Sequence, residues 1–297
     1  MKVLQIENLH KEYGRITAVN QLNLEIETGT VFGLLGPNGS GKSTTLGMIL
    51  GVTNPTSGSF KWFGEKGNHH HRKRIGAILE KPNFYPNLTA YKNLIIVCKI
   101  KQVEYSRIDD VLHQVGLYSR RNDNFKTYSL GMKQRLAIGA ALLADPEVLI
   151  LDEPTNGLDP KGILEIRQLI IDIAQSGKTI ILASHLLDEV QKVCSSFAVL
   201  KQGNKIYQGE VEDNFGNEVI IEMGSTDLET LLLIIQNHPN YIKHRNLKNC
   251  LEVKFAIDTG AAALNQYCVE KGVFLTHLSV VKKSLEQQFM EILSDNA

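Results

Sequence analysis

No stretch of this chain approaches the roughly 20 consecutive apolar residues needed to span a bilayer. Its most apolar short runs, Leu94–Val97 and Leu231–Ile235, are a fraction of that length. The chain is therefore expected to be soluble on its own, with any membrane link supplied by a partner protein. An excess of one charge is missing as well. Thirty-two Lys plus Arg balance 32 Asp plus Glu, so no overall basic field draws the chain to anionic lipid or nucleic acid, and no nucleic-acid partner is expected. Cysteine is sparse: Cys98, Cys194, Cys250 and Cys268 include no C-x-x-C pair. That scatter suits reduced cytosolic thiols better than a disulfide frame or a zinc site. Met1–Leu9 alternates apolar and polar residues and reads as a strand rather than a secretion signal, so no secretion is expected. There is no long internal repeat and no low-complexity linker.

What remains is 297 residues, 43% hydrophobic, enough to bury a sizeable core. The motifs that carry chemistry all precede Gly209, and the texture changes afterwards, which predicts two domains over residues 1–212 and 213–297. In the first, strand-like segments at Val3–Leu9 and Leu22–Ile26 lead to an apolar run, Val31–Leu35, that breaks into glycines and resumes as a helix at Ser43. Between Leu88 and Ala144 the pattern is mostly helical: Ile108, Val111, Leu112 and Val115 follow helical spacing, with Gly116 as a stop. Buried-strand runs return at Val148–Leu151 and Thr179–Ala183, each leading into a polar motif, as in a parallel sheet with functional residues at its strand ends. Phe197–Gly209, centred on Gly203-Asn204, reads as a closing hairpin. Beyond it the expected order is strand (Glu218–Met223), helix (Asp227–Asn237), weak strand (Tyr241–Arg245), strand (Leu251–Ile257), helix (Ala261–Lys271), strand (Val273–Val280) and a last helix (Ser284–Leu293). That succession fits a small α+β, ferredoxin-like unit with a helical tail.

Gly36-Pro37-Asn38-Gly39-Ser40-Gly41-Lys42-Ser43 satisfies G-x-x-x-x-G-K-[ST] between a strand and a helix. Glycines let backbone N–H groups curl around a β-phosphate, and the helix N-terminus adds a positive dipole. Lys42 reaches the β- and γ-phosphates, and the Ser43 hydroxyl suits Mg²⁺. These residues and the adjacent Thr44 form the candidate nucleotide-binding set. Val148–Leu151 ends in Asp152-Glu153; after a phosphate loop, such a pair holds Mg²⁺ through its water shell (Asp152) and polarises the attacking water (Glu153). Ser129 is a good N-cap for a helix carrying Leu136, Gly139, Ala140 and Leu143 on one face.

The stretch Ser129-Leu130-Gly131-Met132-Lys133-Gln134 resembles the L-S-G-G-Q signature of ATP-binding-cassette (ABC) proteins. Tyr128 stands for Leu, Leu130 for the first Gly, and Met132-Lys133 separate the retained Gly131 from Gln134. Asn156-Gly157-Leu158-Asp159 resembles that family's D-loop, Ser184-His185 its switch histidine, and Tyr13 the aromatic ring that stacks on adenine. The resemblance covers residues 1 to about 210. It implies an α/β P-loop ATPase with a helical insertion, working on ATP and Mg²⁺ with Lys42, Glu153 and His185 as catalytic residues. It also implies a dimer with a second copy of the ATPase, in which Ser129, Gly131 and Asp159 face nucleotide held by the other copy. The remaining partner implied is a membrane-spanning permease, which would hold the chain at the inner face of the cell membrane.

Where the family usually has Gln, this chain has Glu80, followed by Lys81-Pro82-Asn83-Phe84-Tyr85-Pro86-Asn87-Leu88-Thr89. This resembles the branch that exports bacitracin and lantibiotic peptides. It implies that Glu80 senses Mg²⁺ and the γ-phosphate region while the loop through Leu88 meets the permease. The alternative is a soluble ABC-type ATPase with a mechanical or regulatory role, though the long coiled-coil insertion or second cassette usual there is lacking. His69-His70-His71 with Arg72, Lys73 and Arg74 reads as a solvated helix start rather than a metal site, and Lys282-Lys283 as surface charge. Lys42→Ala is expected to abolish ATP binding or hydrolysis, because it removes the side-chain cation of the phosphate loop. Nucleotide titration and phosphate release check this, and undiminished turnover would remove the site assignment.

Overall fold

The computed structural model describes residues 1–66, 71–79, 82–211, 218–256 and 259–281. They fall into two compact units, Met1–Val211 and a second beyond it.

The first unit opens with β1 (Lys2–Tyr13) and β2 (Ile16–Glu27), an antiparallel pair longer at both strands than the sequence pattern suggests. Leu22, Leu24 and Ile26 alternate inward along β2, the period that one covered sheet face requires. Next come β3 (Val31–Leu35), α1 (Lys42–Ile49), β4 (Ser57–Trp62) and β5 (Glu65–Lys66). The outer sheet runs β2-β1-β4-β5. Then follow β6 (Ile75–Ile78) and the helical segment of α2 (Ala90–Lys101), α3 (Arg107–Gln114) and α4 (Leu130–Leu142). Thr89 caps α2 by accepting from the Lys92 N–H, and Ser129 caps α4 through the Met132 N–H.

The unit is completed by β7 (Val148–Asp152), α5 (Pro160–Gln175), β8 (Thr179–Ser184), α6 (Leu187–Val193), β9 (Ser196–Lys201) and β10 (Asn204–Glu210). The inner sheet has the order β10-β9-β3-β8-β7-β6, parallel from β9 to β6, with β10 antiparallel at its edge. Every residue of β3, β7 and β8 is buried. Their unbroken apolar runs reflect strands covered on both faces.

One apolar cluster joins Leu4 and Leu22 of the outer sheet, Leu46 and Met48 of α1, and Phe32 and Ile150 of the inner sheet. α1 is thus enclosed by side chains from both sheets. Trp62 is 1% exposed, and its indole N–H donates to the Ile49 carbonyl at 2.8 Å, satisfying the end of α1.

In the second unit the order is β11 (Glu218–Ser225), α7 (Leu228–Gln236), β12 (Tyr241–Asn246), β13 (Leu251–Ala256), α8 (Ala261–Glu270) and β14 (Leu275–Val281). Its sheet runs β12-β13-β11-β14, antiparallel throughout. Ile221, Met223, Val253 and Phe255 pack against Leu231 and Ile235 of α7 and Leu264 and Cys268 of α8. The expected last helix, Ser284–Leu293, and Lys282-Lys283 lie outside the described residues.

Two expectations are corrected. The closing hairpin turns at Gln202-Gly203 rather than Gly203-Asn204: Gln202 and Gly203 have φ of +48° and +80°, while Asn204 already belongs to β10. The basic segment is not a solvated helix start at His71. That side chain is buried, with its ring against Phe63 and its Nε2 at 3.2 Å from the Glu65 carboxylate. Residues 71–74 form a 3₁₀ turn in which Arg74 lies over the Phe63 ring and grips both oxygens of Glu147. Those hydrogen bonds lower the Glu147 pKa and raise that of Arg74. His69 and His70 lie outside the described residues. Trp62→Ala is expected to destabilise the fold by about 3–5 kcal/mol. Chemical denaturation followed by circular dichroism measures it, and a loss below about 1 kcal/mol would mean that the site collapses freely.

Candidate functional site

The parallel register brings the functional segments to one edge. Leu35 pairs with Ser184 and Asp152 with Ala183, so the phosphate loop, the switch segment and the acidic pair leave neighbouring strand ends. The Gly36 N–H donates to the Ser184 carbonyl at 3.3 Å, and the Ser40 N–H to the Pro37 carbonyl at 3.1 Å, closing the loop on itself. Gly41 precedes α1 with φ of +104°, a conformation that L side chains rarely adopt. A Cβ there would stand 2.5 Å from the Ala18 carbonyl, and one on Gly36 would collide with the Leu200 carbonyl. The loop is therefore a bare backbone cradle at a helix N-terminus. Pro37, Asn38 and Gly39 are exposed along it, as is Ser43, and Thr44 is half-buried.

Lys42 is buried, and its ammonium donates to the Gly36 carbonyl at 2.7 Å and to the Pro37 carbonyl at 3.3 Å. It also lies 3.4 Å from Glu153 Oε1. The other oxygen of Glu153 is 2.7 Å from His185 Nδ1. Glu153 thus bridges a cation and an imidazole. It does so from a left-handed backbone (φ +48°), held by its N–H donating to the Ala183 carbonyl at 2.9 Å. Asp152 is buried at the end of β7.

Ser129 and Gly131 form a second cluster with Gly157, Leu158 and Asp159. Asp159 caps α5 by accepting from the Gly162 N–H at 2.9 Å, so its carboxylate has a structural task in this chain. A Cβ on Gly131 would meet Leu158 at 3.9 Å, an ordinary van der Waals contact. Tyr13 is half exposed at the end of β1, with the Lys11 ammonium 4.8 Å from its ring centre. Glu80 lies outside the described residues.

The ABC transporter family model matches residues 19–156. Bacitracin transport ATP-binding protein BcrA of Enterococcus faecalis is 34% identical over 98% of this chain and 96% of its own length. This chain belongs to the ABC transporter ATP-binding proteins. Lantibiotic transport ATP-binding protein SrtF of Streptococcus pyogenes is 40% identical over 74% of this chain and 99% of its own. Among solved structures, cbiO1 of Clostridium perfringens, part of the transporter complex cbiONQ, matches at 31% identity and a TM-score of 0.66, covering 71% of this chain and 89% of that one. A dimeric cassette in a post-hydrolysis state bound to ADP and Pi matches at 27% identity and a TM-score of 0.64, covering 71% of this chain and 99% of that one. The ABC protein is an ATPase. Among its described residues no helix is long and apolar enough to cross a membrane.

Sequence reasoning missed Glu189. It is buried on α6, where it accepts hydrogen bonds from the Thr155 and Ser184 hydroxyls. In the sequence it is one of two adjacent carboxylates, Asp188-Glu189, in a helix's first turn, an ordinary solvated pattern. The signal available was its position beside Val190 on a short helix that also buries Leu187. Burial, with the charge of Glu189, also pushes the Cys194 thiol well above its ordinary pKa. Gly41→Ala is expected to weaken nucleotide binding by at least about tenfold, from the backbone strain and the Ala18 contact. Fluorescent-nucleotide titration checks it, and unchanged affinity would show that the loop rearranges without penalty.

Proposed function

We propose that this ABC ATPase binds Mg-ATP on the Gly36–Thr44 cradle, pairs with a second copy, and drives a membrane permease that exports peptide antibiotics. The observation that carries the hydrolytic reading is the Lys42–Glu153–His185 chain at adjacent strand ends. Lys42 is free to exchange the Gly36 and Pro37 carbonyls for phosphate oxygens, which leaves Glu153 to hold and polarise a water molecule. His185 orients the Glu153 carboxylate through its 2.7 Å contact. The exposed Ser43 hydroxyl and the Asp152 carboxylate are oxygen donors that fit Mg²⁺. When bound, the ion neutralises charge that develops on the phosphates.

Tyr13 is read as the adenine platform, and Ser129, Gly131 and Asp159 as the surface offered to the second copy. The surface concavity that Ser129, Gly131 and Asp159 line together and the dimeric relative support this. Glu80 is read as the residue that couples the nucleotide to the permease. The peptide-export reading rests on the relative named for bacitracin transport, which aligns over almost the whole chain. Residues 1–212 are read as the ATPase domain and 213–297 as an accessory domain. The strand order β12-β13-β11-β14 with two helices on one face supports a ferredoxin-like assignment for the latter. Through the permease, the chain would sit at the inner face of the membrane.

Glu153→Gln is expected to retain Mg-ATP binding, slow hydrolysis by at least about 100-fold and accumulate an ATP-bound dimer. In cells carrying the full transporter it is expected to remove resistance to bacitracin or a lantibiotic. Sizing with saturating Mg-ATP and inhibitory concentrations at matched expression are the measurements. A variant that stays monomeric counts against the pairing. If the wild-type transporter gives no protection against either peptide, the cargo reading falls.

A further inference from the structure

The segment after Glu153 must turn sharply before α5, while His185 leaves the end of β8 in a separate segment. Past the Glu153 N–H that donates to the Ala183 carbonyl, no backbone hydrogen bond among the described residues joins these two departures. A side chain does. Glu189 is 4% exposed, and its two carboxylate oxygens accept from different segments: Oε1 from the Thr155 hydroxyl, Oε2 from the Ser184 hydroxyl at 2.8 Å. Thr155 lies inside the turn that begins at Glu153, where the Asn156 N–H donates to the Glu153 carbonyl at 3.2 Å and the Leu158 N–H to the Thr155 carbonyl at 3.1 Å. Ser184 directly precedes His185, and its hydroxyl also accepts from the Leu186 N–H at 3.0 Å. Its carbonyl receives the Gly36 N–H, which begins the phosphate loop.

We propose that Glu189 is a positioning residue for ATP hydrolysis, whose buried carboxylate clamps the Thr155 turn to Ser184 and so sets the Glu153–His185 contact. The inference rests on the hydrolytic reading of Glu153 and His185. Hydrogen bonds to a buried carboxylate are among the stronger ones in proteins, and this one joins segments that carry the two ends of a 2.7 Å contact. Releasing either arm lets Glu153 and His185 drift relative to each other, and displacements of about 1 Å are enough to slow a reaction severely. The phosphate cradle is not altered, because Lys42 and the loop carbonyls keep their bonds. The effect therefore falls on turnover rather than on nucleotide affinity.

The test compares wild type with Glu189→Ala, Glu189→Gln, Thr155→Val and Ser184→Ala in the full-length chain. Each is measured for nucleotide Kd and for kcat by phosphate release, beside Glu153→Gln and His185→Ala as references. Glu189→Ala is expected to lower kcat by about tenfold or more with Kd within about twofold. Glu189→Gln, whose amide can still engage both hydroxyls, is expected to recover most of that loss. Adding Thr155→Val to Glu189→Ala is expected to do no further harm. If Glu189→Ala does not fold, the two hydroxyl variants carry the test, each expected to lower kcat with Kd unchanged. Wild-type kcat in folded Glu189→Ala, or in both hydroxyl variants, overturns the proposal while leaving the site reading intact. A fall in kcat matched by an equal rise in Kd also overturns it, because that is the mark of general unfolding. If the two reference variants turn over normally, the site reading itself fails, and this inference falls with it.

Discussion

The register of three parallel strands is the constraint on which the rest of the first unit depends. Because Leu35 stands opposite Ser184 and Asp152 opposite Ala183, the last residues of β3, β8 and β7 reach the same edge together. A slip of one residue would turn every side chain of the slipped strand to the other face, and the fully buried runs of β3, β7 and β8 resist that on both faces. The phosphate loop, acidic pair and histidine are thereby brought to one edge by the hydrophobic packing below them, and polar contacts then fix the groups within that edge. The enclosure of α1 by both sheets serves the same end, since that helix presents its N-terminus to the cradle.

On this frame sits a small, partly buried polar chain. Lys42 and Glu153 have side chains only 6% and 20% exposed, so their 3.4 Å contact acts in a medium where charge is poorly screened. Removing one partner of such a pair leaves an uncompensated buried charge. On the proposed reading, a phosphate entering the cradle would compete with Glu153 for Lys42, which would make the freedom of the carboxylate conditional on the nucleotide. Glu153 is held for this by its backbone as well, in a left-handed conformation uncommon for a side chain of its kind.

Much of the site is legible in the sequence because Asp152, Glu153 and His185 lie where an apolar run stops, and Lys42 closes a glycine-rich motif of fixed spacing that follows another such run. The second unit is legible for a similar reason, since Ile221, Met223, Val253 and Phe255 alternate inward on their strands. Lateral contacts leave no such mark. Glu189 and Asp188 are neighbours of one type, and only the packing of α6 decides that the first is buried and the second pairs with Arg167 and Lys192 at the surface. His71 is hidden by the same limit: its polar flanks suggest solvent, while the Phe63 ring comes to it from the turn between β4 and β5, and Glu65 from β5. Asp159 shows a single side chain serving two readings, since a helix cap and an interface contact ask for the same residue type.

Trp62 is the single tryptophan of the chain, and its position has an optical consequence. Its indole is sealed from water and bonded to the Ile49 carbonyl at the far end of the helix whose first residue is Lys42. One short, rigid helix therefore connects the phosphate cradle to the molecule's dominant intrinsic fluorophore. A shift of α1 along its axis would stretch or relax the indole hydrogen bond, so the emission of an unlabelled chain is a natural probe of where that helix stands.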